Sequence, residues 1–420
     1  MSILKDIEHL VEAGLITEEQ AVAIRQYYQN NTGPKYNTLM LLFASIGALL
    51  IGMAIILIIA HNWDQMSRTA RLILAFTPLV ISQLLALYTL VKKPESQVWR
   101  EATSILLFFG IGACLALTAQ IYNIEDAEGM FQIYWLILSI PIVYVMQSAS
   151  VSLLSFMTLI YYCMANGLPH NNEPAFVYFL VFFLSLMPFY IRLIQTQPSS
   201  NTTYIHHWFI ALTLLPGTAQ ITHQVPEALT LTYFALFMLL YNLGKSRYFS
   251  ALPTRVNAYY VLGLLGIIIL LIAFSFEDVW FDFDRSKLLL SRESLLTLAY
   301  FIGAMVLYFL HQKFKIEDLL DMFLVFIPFA IIFLLIGEYQ YILINIIVLT
   351  MGILYIRRGS TQGKLSVINL GLVMVSIIIL SRFFDTDLSY LVKGLVFALL
   401  GIGFIVANYF IVKNLSRDEK

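Results

Sequence analysis

The chain has 420 residues, 60% of them hydrophobic and 12% charged, with a net charge of −1 and a mean hydropathy of +0.80. A soluble globular protein is nearer half apolar and a quarter charged. This much polar surface cannot coat a water-facing globule of that size, so lipid must be the solvent for most of it, and the near-neutral balance gives no support to a nucleic-acid partner.

Residues 1–37 predict a small helical hairpin on the cytoplasmic side. Leu4, Ile7, Leu10 and Val11 fall on one helical face, and Gly14 is placed to end that helix as a left-handed cap. Thr17-Glu18-Glu19-Gln20 reads as a capping box, in which the Thr hydroxyl accepts from a backbone N–H and Gln20 reaches back. A second helix follows with Ala21, Ile24 and Tyr28 on one face, and stops at Asn30-Asn31-Thr32-Gly33-Pro34. The hairpin either lies as a cap on the membrane face of its own protein or recruits a protein partner. The segment is polar, acidic-leaning and lacks the small-residue cleavage site of a signal peptide.

Fourteen apolar runs come next: 38–60, 69–91, 102–121, 131–146, 149–165, 175–194, 204–221, 228–243, 256–275, 293–311, 319–336, 339–356, 365–381 and 389–412. A crossing takes about 20 apolar residues. The runs 131–146 and 228–243 are short for this, so twelve to fourteen crossings are expected. With the N-terminus inside, 18 of the 25 basic residues fall in inner segments and 7 in outer ones. Lys and Arg mark cytoplasmic loops, so the asymmetry predicts both termini in the cytoplasm. The fold class is therefore an all-α polytopic integral membrane helical bundle. Its regions are the hairpin (1–37), an N-terminal four-helix membrane region (38–146) and a C-terminal membrane region of about ten helices (147–420). Cys114 and Cys163 lie inside apolar runs and read as small core hydrophobes.

Small and polar residues within the runs mark packed faces. Ala44, Ala48 and Gly52 recur every fourth residue, as do Gly112, Ala116 and Gln120, and such ridges let helices approach closely in lipid. On this reading Gln120 points along the packed face. Its amide needs a partner there, either a neighbouring helix or a substrate, and Tyr122 and Asn123 are near. Gln83, Gln220, Asn242, Asn257, Asn345, Asn369 and Asn408 are the other intramembrane amides. No carboxylate falls at mid-span, which lowers the expectation of an ion-coupled pump. Arg71, Glu101, Arg382 and Lys393 lie at the bilayer rim as snorkelling anchors, with Asp385 beside Arg382.

Candidate chemistries are thin. His206-His207 has no further ligand at metal spacing. Asp282-Phe283-Asp284 resembles the acidic pair with which membrane glycosyltransferases hold a metal. His61 with Asp64 has the parts of an acid–base pair, but no nucleophile accompanies them. Gly263-Leu264-Leu265-Gly266 lacks the lysine of a phosphate loop. No metal and no cofactor is expected.

The opening stretch carries a resemblance. Gly14-Leu15-Ile16-Thr17, a glycine-containing first run, Ala60-His61-Asn62-Trp63-Asp64, Arg71 and Gln120-Ile121-Tyr122 follow in order. This resembles the bacterial predicted membrane proteins grouped as domain of unknown function 2157, best over roughly the first 145 residues. The resemblance implies a bacterial inner-membrane protein in which Asn62, Trp63, Arg71, Gln120 and Tyr122 matter, and His61 departs from its pattern. Three classes of function stay open. The first is non-enzymatic transport or handling of a lipid or envelope component. Its groove is expected at Gln120 and Tyr122, closed by Asn62, Trp63, Asp64 and Arg71, with membrane lipids as partners. The second is a membrane enzyme acting on a lipid-linked substrate at the outer face, and the third a scaffold or sensor recruiting a partner through the hairpin.

Overall fold

The computed structural model describes residues 13–31, 63–125, 129–165, 175–221, 226–280, 292–311, 313–336 and 339–384, with positions 7, 10 and 11 and scattered positions from 389 to 405. Among the described residues the fold is all-helical, with fourteen α-helices and no strand. In chain order these are α1 (Glu18–Asn31), α2 (Arg68–Lys92), α3 (Gln97–Tyr122), α4 (Met130–Val145), α5 (Ala149–Ala165), α6 (Ala175–Thr196) and α7 (Asn201–Ala219). They continue as α8 (Pro226–Gly244), α9 (Arg247–Ser250), α10 (Ala258–Ala273), α11 (Arg292–His311), α12 (Phe326–Leu335), α13 (Gln340–Thr361) and α14 (Leu365–Phe384). Five of them, α2, α3, α6, α11 and α13, are long and apolar enough to cross a membrane, while α4, α5, α8, α10, α12 and α14 are apolar but shorter. Eleven of the fourteen predicted runs coincide with one of these helices. The run 319–336 divides, 38–60 lies outside the described residues, and 389–412 is described only at scattered positions.

The chain forms two compact units, Met1–Leu74 and Ala75–Lys420. In the first, Gly14 takes φ +68° and the Leu15 N–H donates to the Leu10 carbonyl at 3.0 Å. That is the left-handed turn its position predicts. The capping box also forms. Thr17 N–H donates to Gln20 Oε1 at 3.0 Å and Gln20 N–H to Thr17 Oγ1 at 3.3 Å. Trp63–Gln65 is a single 3-10 turn, after which Ser67 Oγ accepts from Ala70 N–H at 3.3 Å and starts α2.

The second unit has two main cores. One is built on α3 to α7 with Phe108, Phe156, Leu186 and Ala211. The other is built on α8 and α10 to α14 with Phe234, Leu271, Phe329, Val348 and Met374. Helix α8 serves both. Ala228, Leu231, Phe234, Ala235, Met238 and Tyr241 face the second core, and Leu236 and Leu240 face the first. A helix apolar all round is one buried on both sides, and α8 follows that rule. Backbone meets backbone at several glycine contacts. A Cβ on Gly263 would stand 2.4 Å from Tyr241 N, joining α10 to α8, and one on Gly371 would stand 2.5 Å from the Gly352 carbonyl, joining α14 to α13. Side chains at those points would hold the helices apart, and close van der Waals packing is what joins helices in lipid.

Polar residues close the helix ends. Ser200 Oγ accepts from Thr203 N–H at 3.1 Å at the start of α7, and Asn257 Oδ1 from Tyr260 N–H at 3.1 Å at the start of α10. Asn123 ends α3 with φ +50°, a conformation its short polar side chain tolerates.

Candidate functional site

The residues singled out in the sequence divide between the two units. In the first unit Arg71 lies over the Trp63 ring, with Cζ 5.6 Å from its centroid, and its Nε–H donates to the Met66 carbonyl at 3.2 Å. Trp63 is buried. The pair therefore fixes the turn to the first turns of α2, a cation–π contact with a backbone bond behind it. Asn62 and the Asp64 side chain lie outside the described residues, as do Ala44, Ala48, Gly52 and Asp282-Phe283-Asp284, the side chain of Arg382, and Asp385.

In the second unit Gly112 faces Trp135 so closely that a Cβ would stand 2.5 Å from Cζ2, while the Trp135 Nε1–H donates to the Phe108 carbonyl at 2.9 Å. Ala116 and Gln120, expected on the same packed face, are exposed, and so is Tyr122. A row at every fourth residue drifts about 40° around the axis per step, so by Gln120 it has left the contact that Gly112 makes.

Glu101 is a cap rather than a free rim charge. Its carboxylate accepts from Ser148 Oγ–H at 2.5 Å, Ala149 N–H at 2.9 Å and Ser150 N–H at 3.1 Å. A negative charge at a helix N-terminus is favoured by the aligned peptide dipoles, and here α3 supplies it to α5. Arg100 beside it donates to the Met146 carbonyl at 2.7 Å.

The intramembrane amides mostly tie helices. Gln220 Nε2 donates to the Cys163 carbonyl at 2.7 Å, Asn345 Nδ2 to the Ser275 carbonyl at 2.9 Å, and Asn257 Nδ2 to the Gly244 and Phe249 carbonyls, each at 2.9 Å. The two histidines turn apart. His207 Nδ1 meets Tyr190 OH at 2.7 Å, and His206 Nδ1 meets the Thr202 carbonyl at 2.7 Å. Among the described residues no three His, Cys, Asp or Glu side chains gather as a metal would require.

A further polar cluster gathers where the run 319–336 begins. The run 319–336 does not form one helix. Ile316–Leu320 is a 3-10 turn, residues 321–325 are irregular, and only Phe326–Leu335 is α-helical. Ten residues span about 15 Å, half a hydrocarbon core. Pro328, in the first turn of α12, costs no intrahelical bond there. The irregular strap is buried, with Met322, Leu324 and Val325 fully enclosed. Non-helical backbone in a membrane bundle survives only where protein or a wet cavity satisfies it. Here the Asp321 carbonyl accepts from Leu324 N–H at 3.0 Å and Val325 N–H at 2.9 Å, and the Phe323 carbonyl accepts from Asn242 Nδ2–H at 3.3 Å.

Asp321 is the centre of the strap. Its Oδ1 accepts from Tyr355 OH at 2.7 Å, and its Oδ2 is ion-paired with Arg358 Nη1. Tyr355 and Arg358 lie three residues apart on α13, on one helical face, so a single carboxylate engages both. At the start of the strap Tyr308 OH donates to Asp318 Oδ2 at 2.6 Å, and Lys315 N–H donates to the same oxygen at 3.2 Å. Just past the end of α8, Lys245 Nζ stands over three rings, 5.0 Å from Tyr260, 5.6 Å from Tyr241 and 5.7 Å from Phe323. Lys245 is exposed as a residue. Desolvation of its head nonetheless lowers its pKa from the ordinary lysine value, an effect the Asp321 charge opposes. Two cues for this site were in the sequence: an acid two residues inside an apolar run, and an Arg at the end of a later one.

The buried apolar helices, glycine contacts and interhelical amides define a helical membrane protein. Residues 8–152, less than half of the chain, match the model of the family described as predicted membrane protein (DUF2157), a domain of unknown function, which is the family the opening motifs resemble. The Trp63–Arg71 pair, the Gly112–Trp135 contact and the Glu101 cap all fall inside that match. The Asp321 site lies beyond it. No curated protein and no solved structure matches the chain.

Proposed function

We propose that this is a polytopic protein of the bacterial inner membrane, of about fourteen crossings with both termini cytoplasmic, that moves or handles a lipid or lipid-linked envelope component without chemically transforming it. The observation that carries this reading is the half-length helix α12, led in by the buried irregular strap on which Asp321 pairs with Arg358. In transport proteins, broken helices place charges and unwound backbone next to the cargo, and here the break carries an ion pair where it enters the apolar run. The strap joins α11 to α12 and touches α8 and α13, so a shift in it alters the contacts of several helices. Gln120 and Tyr122, exposed at the other end of α3, are proposed as contacts for the same component.

The test is lipid translocation. Purified protein is reconstituted into liposomes carrying an acyl-labelled fluorescent phosphatidylcholine, and dithionite is added outside. Protein-free vesicles lose about half their signal. Wild-type vesicles should lose clearly more, and Asp321→Asn should return the loss toward the protein-free level. Wild-type vesicles indistinguishable from empty ones would overturn the reading.

A further inference from the structure

The surroundings of Lys245 have a chemistry of their own. Tyr241, Tyr260 and Phe323 come from α8, α10 and the strap, and all three turn ring surface toward one ammonium, within 5.0–5.7 Å. The rings are packed against one another, with the Tyr241 and Tyr260 centroids 5.3 Å apart and Tyr241 and Phe323 5.1 Å apart. Three aromatic surfaces around a cation are the arrangement that recognises ammonium groups. Asp321, two residues before Phe323 on the strap, keeps its carboxylate on Tyr355 and Arg358. Asn242 fixes the strap beside the rings, its Nδ2 donating to the Phe323 carbonyl and to the Met238 carbonyl at 2.8 Å.

We propose that Tyr241, Tyr260 and Phe323 form a binding box for the ammonium of a ligand, and that Lys245 is its tethered stand-in, displaced when that ligand enters. The shared chemistry is a primary or methylated ammonium, borne either by a lipid headgroup or by a free solute. Lys245 suits the part of a displaceable occupant. It is on the chain just past a helix end, its residue is exposed, and its four-carbon stem has room to swing the charge into water. The inference names the cargo class of the site proposed above and rests on that reading.

Displacement is read from Lys245 itself. The full-length protein is placed in nanodiscs of phosphatidylglycerol, or of phosphatidylglycerol mixed with phosphatidylcholine, whose head carries no reactive amine. Acetylation of Lys245 by an amine-reactive reagent is followed by mass spectrometry, relative to Lys92 and Lys93 in the same sample. A lipid headgroup in the box should raise the relative rate at Lys245 at least three-fold in the mixed discs. A free-solute site should instead respond to added choline in pure phosphatidylglycerol discs. Tyr260→Leu and Phe323→Leu, two variants in case one misfolds, should each make Lys245 fast in every disc and insensitive to either ligand. No ligand response in the wild-type protein, or a response that survives both ring variants, would overturn the proposal. Lys245 labelling does not depend on translocation. A dithionite assay that fails while the labelling responds would sink the transport reading and leave the box.

Discussion

Replacing Asp321 by Asn removes one charge from its ion pair with Arg358. The Asp321 side chain is 10% exposed and that of Arg358 28%. Breaking a fully buried pair from one side costs roughly 3–5 kcal/mol, because the other charge is left without compensation. A surface pair is worth about 0–1 kcal/mol. Arg358 is open enough for water to reach part of its guanidinium, and Asn retains an oxygen for the Tyr355 hydroxyl. The cost of Asp321→Asn should then be about 2 kcal/mol, between those limits. Arg358→Gln leaves the more buried carboxylate alone and should cost at least as much. In the double variant neither charge is stranded, so a double-mutant cycle should show a favourable coupling of about 1–2 kcal/mol. The assay is reversible unfolding in mixed micelles with increasing SDS, followed by tryptophan fluorescence. Single variants whose costs simply add, within about 0.3 kcal/mol, would refute the claim that this pair holds the strap.

Other expectations follow from the same geometry. Gly112→Val drives a branched side chain into the Trp135 ring and should cost about 1–3 kcal/mol by overpacking; unchanged SDS unfolding would show that the α3–α4 contact is looser than described. Glu101→Gln removes the negative charge from the N-terminus of α5 and should cost about 1–2 kcal/mol, whereas an unaffected midpoint would make the cap incidental. For topology, a cysteine at position 283 should label from outside and one at Gln362 from the cytoplasm; labelling of both from one side refutes the fourteen-crossing arrangement. Gln362 is preferred to its neighbour Gly359, where a Cβ would stand 2.6 Å from Ile368 N. Cys114 and Cys163 are buried, so background labelling should be low.

Local chemistry was readable one residue at a time. The Gly14 turn and the Thr17–Gln20 box need only neighbours within five positions, and both formed as their spacing predicts. Hydropathy placed most helices because lipid imposes length and apolarity on each segment alone. What could not be read depends on a partner far along the chain. Every fourth residue from Gly112 looks like one face in a list of letters, yet the helix turns enough over eight residues to expose Gln120. The run 319–336 averages as apolar and hides both a break and an acid. Asp321 meets Arg358 37 positions later, and no local pattern announces that meeting. Glu101 looked like an interfacial anchor because its donors, Ser148 to Ser150, lie on another helix.

Helix α12 also bears on how the protein is made. A segment of ten apolar residues is too short to hold a place in a bilayer by itself, and the charge of Asp321 just before it adds to the cost of inserting it. When the strap leaves the ribosome its compensating charge has not been synthesised. α12 should therefore wait at the insertion machinery, sheltered by α8 and α11, until α13 arrives with Tyr355 and Arg358. The two would then enter as a pair. A nascent chain arrested before residue 358 should leave α12 extractable, and one arrested after α13 has emerged should anchor it, so assembly here is timed by the distance along the message between an acid and its base.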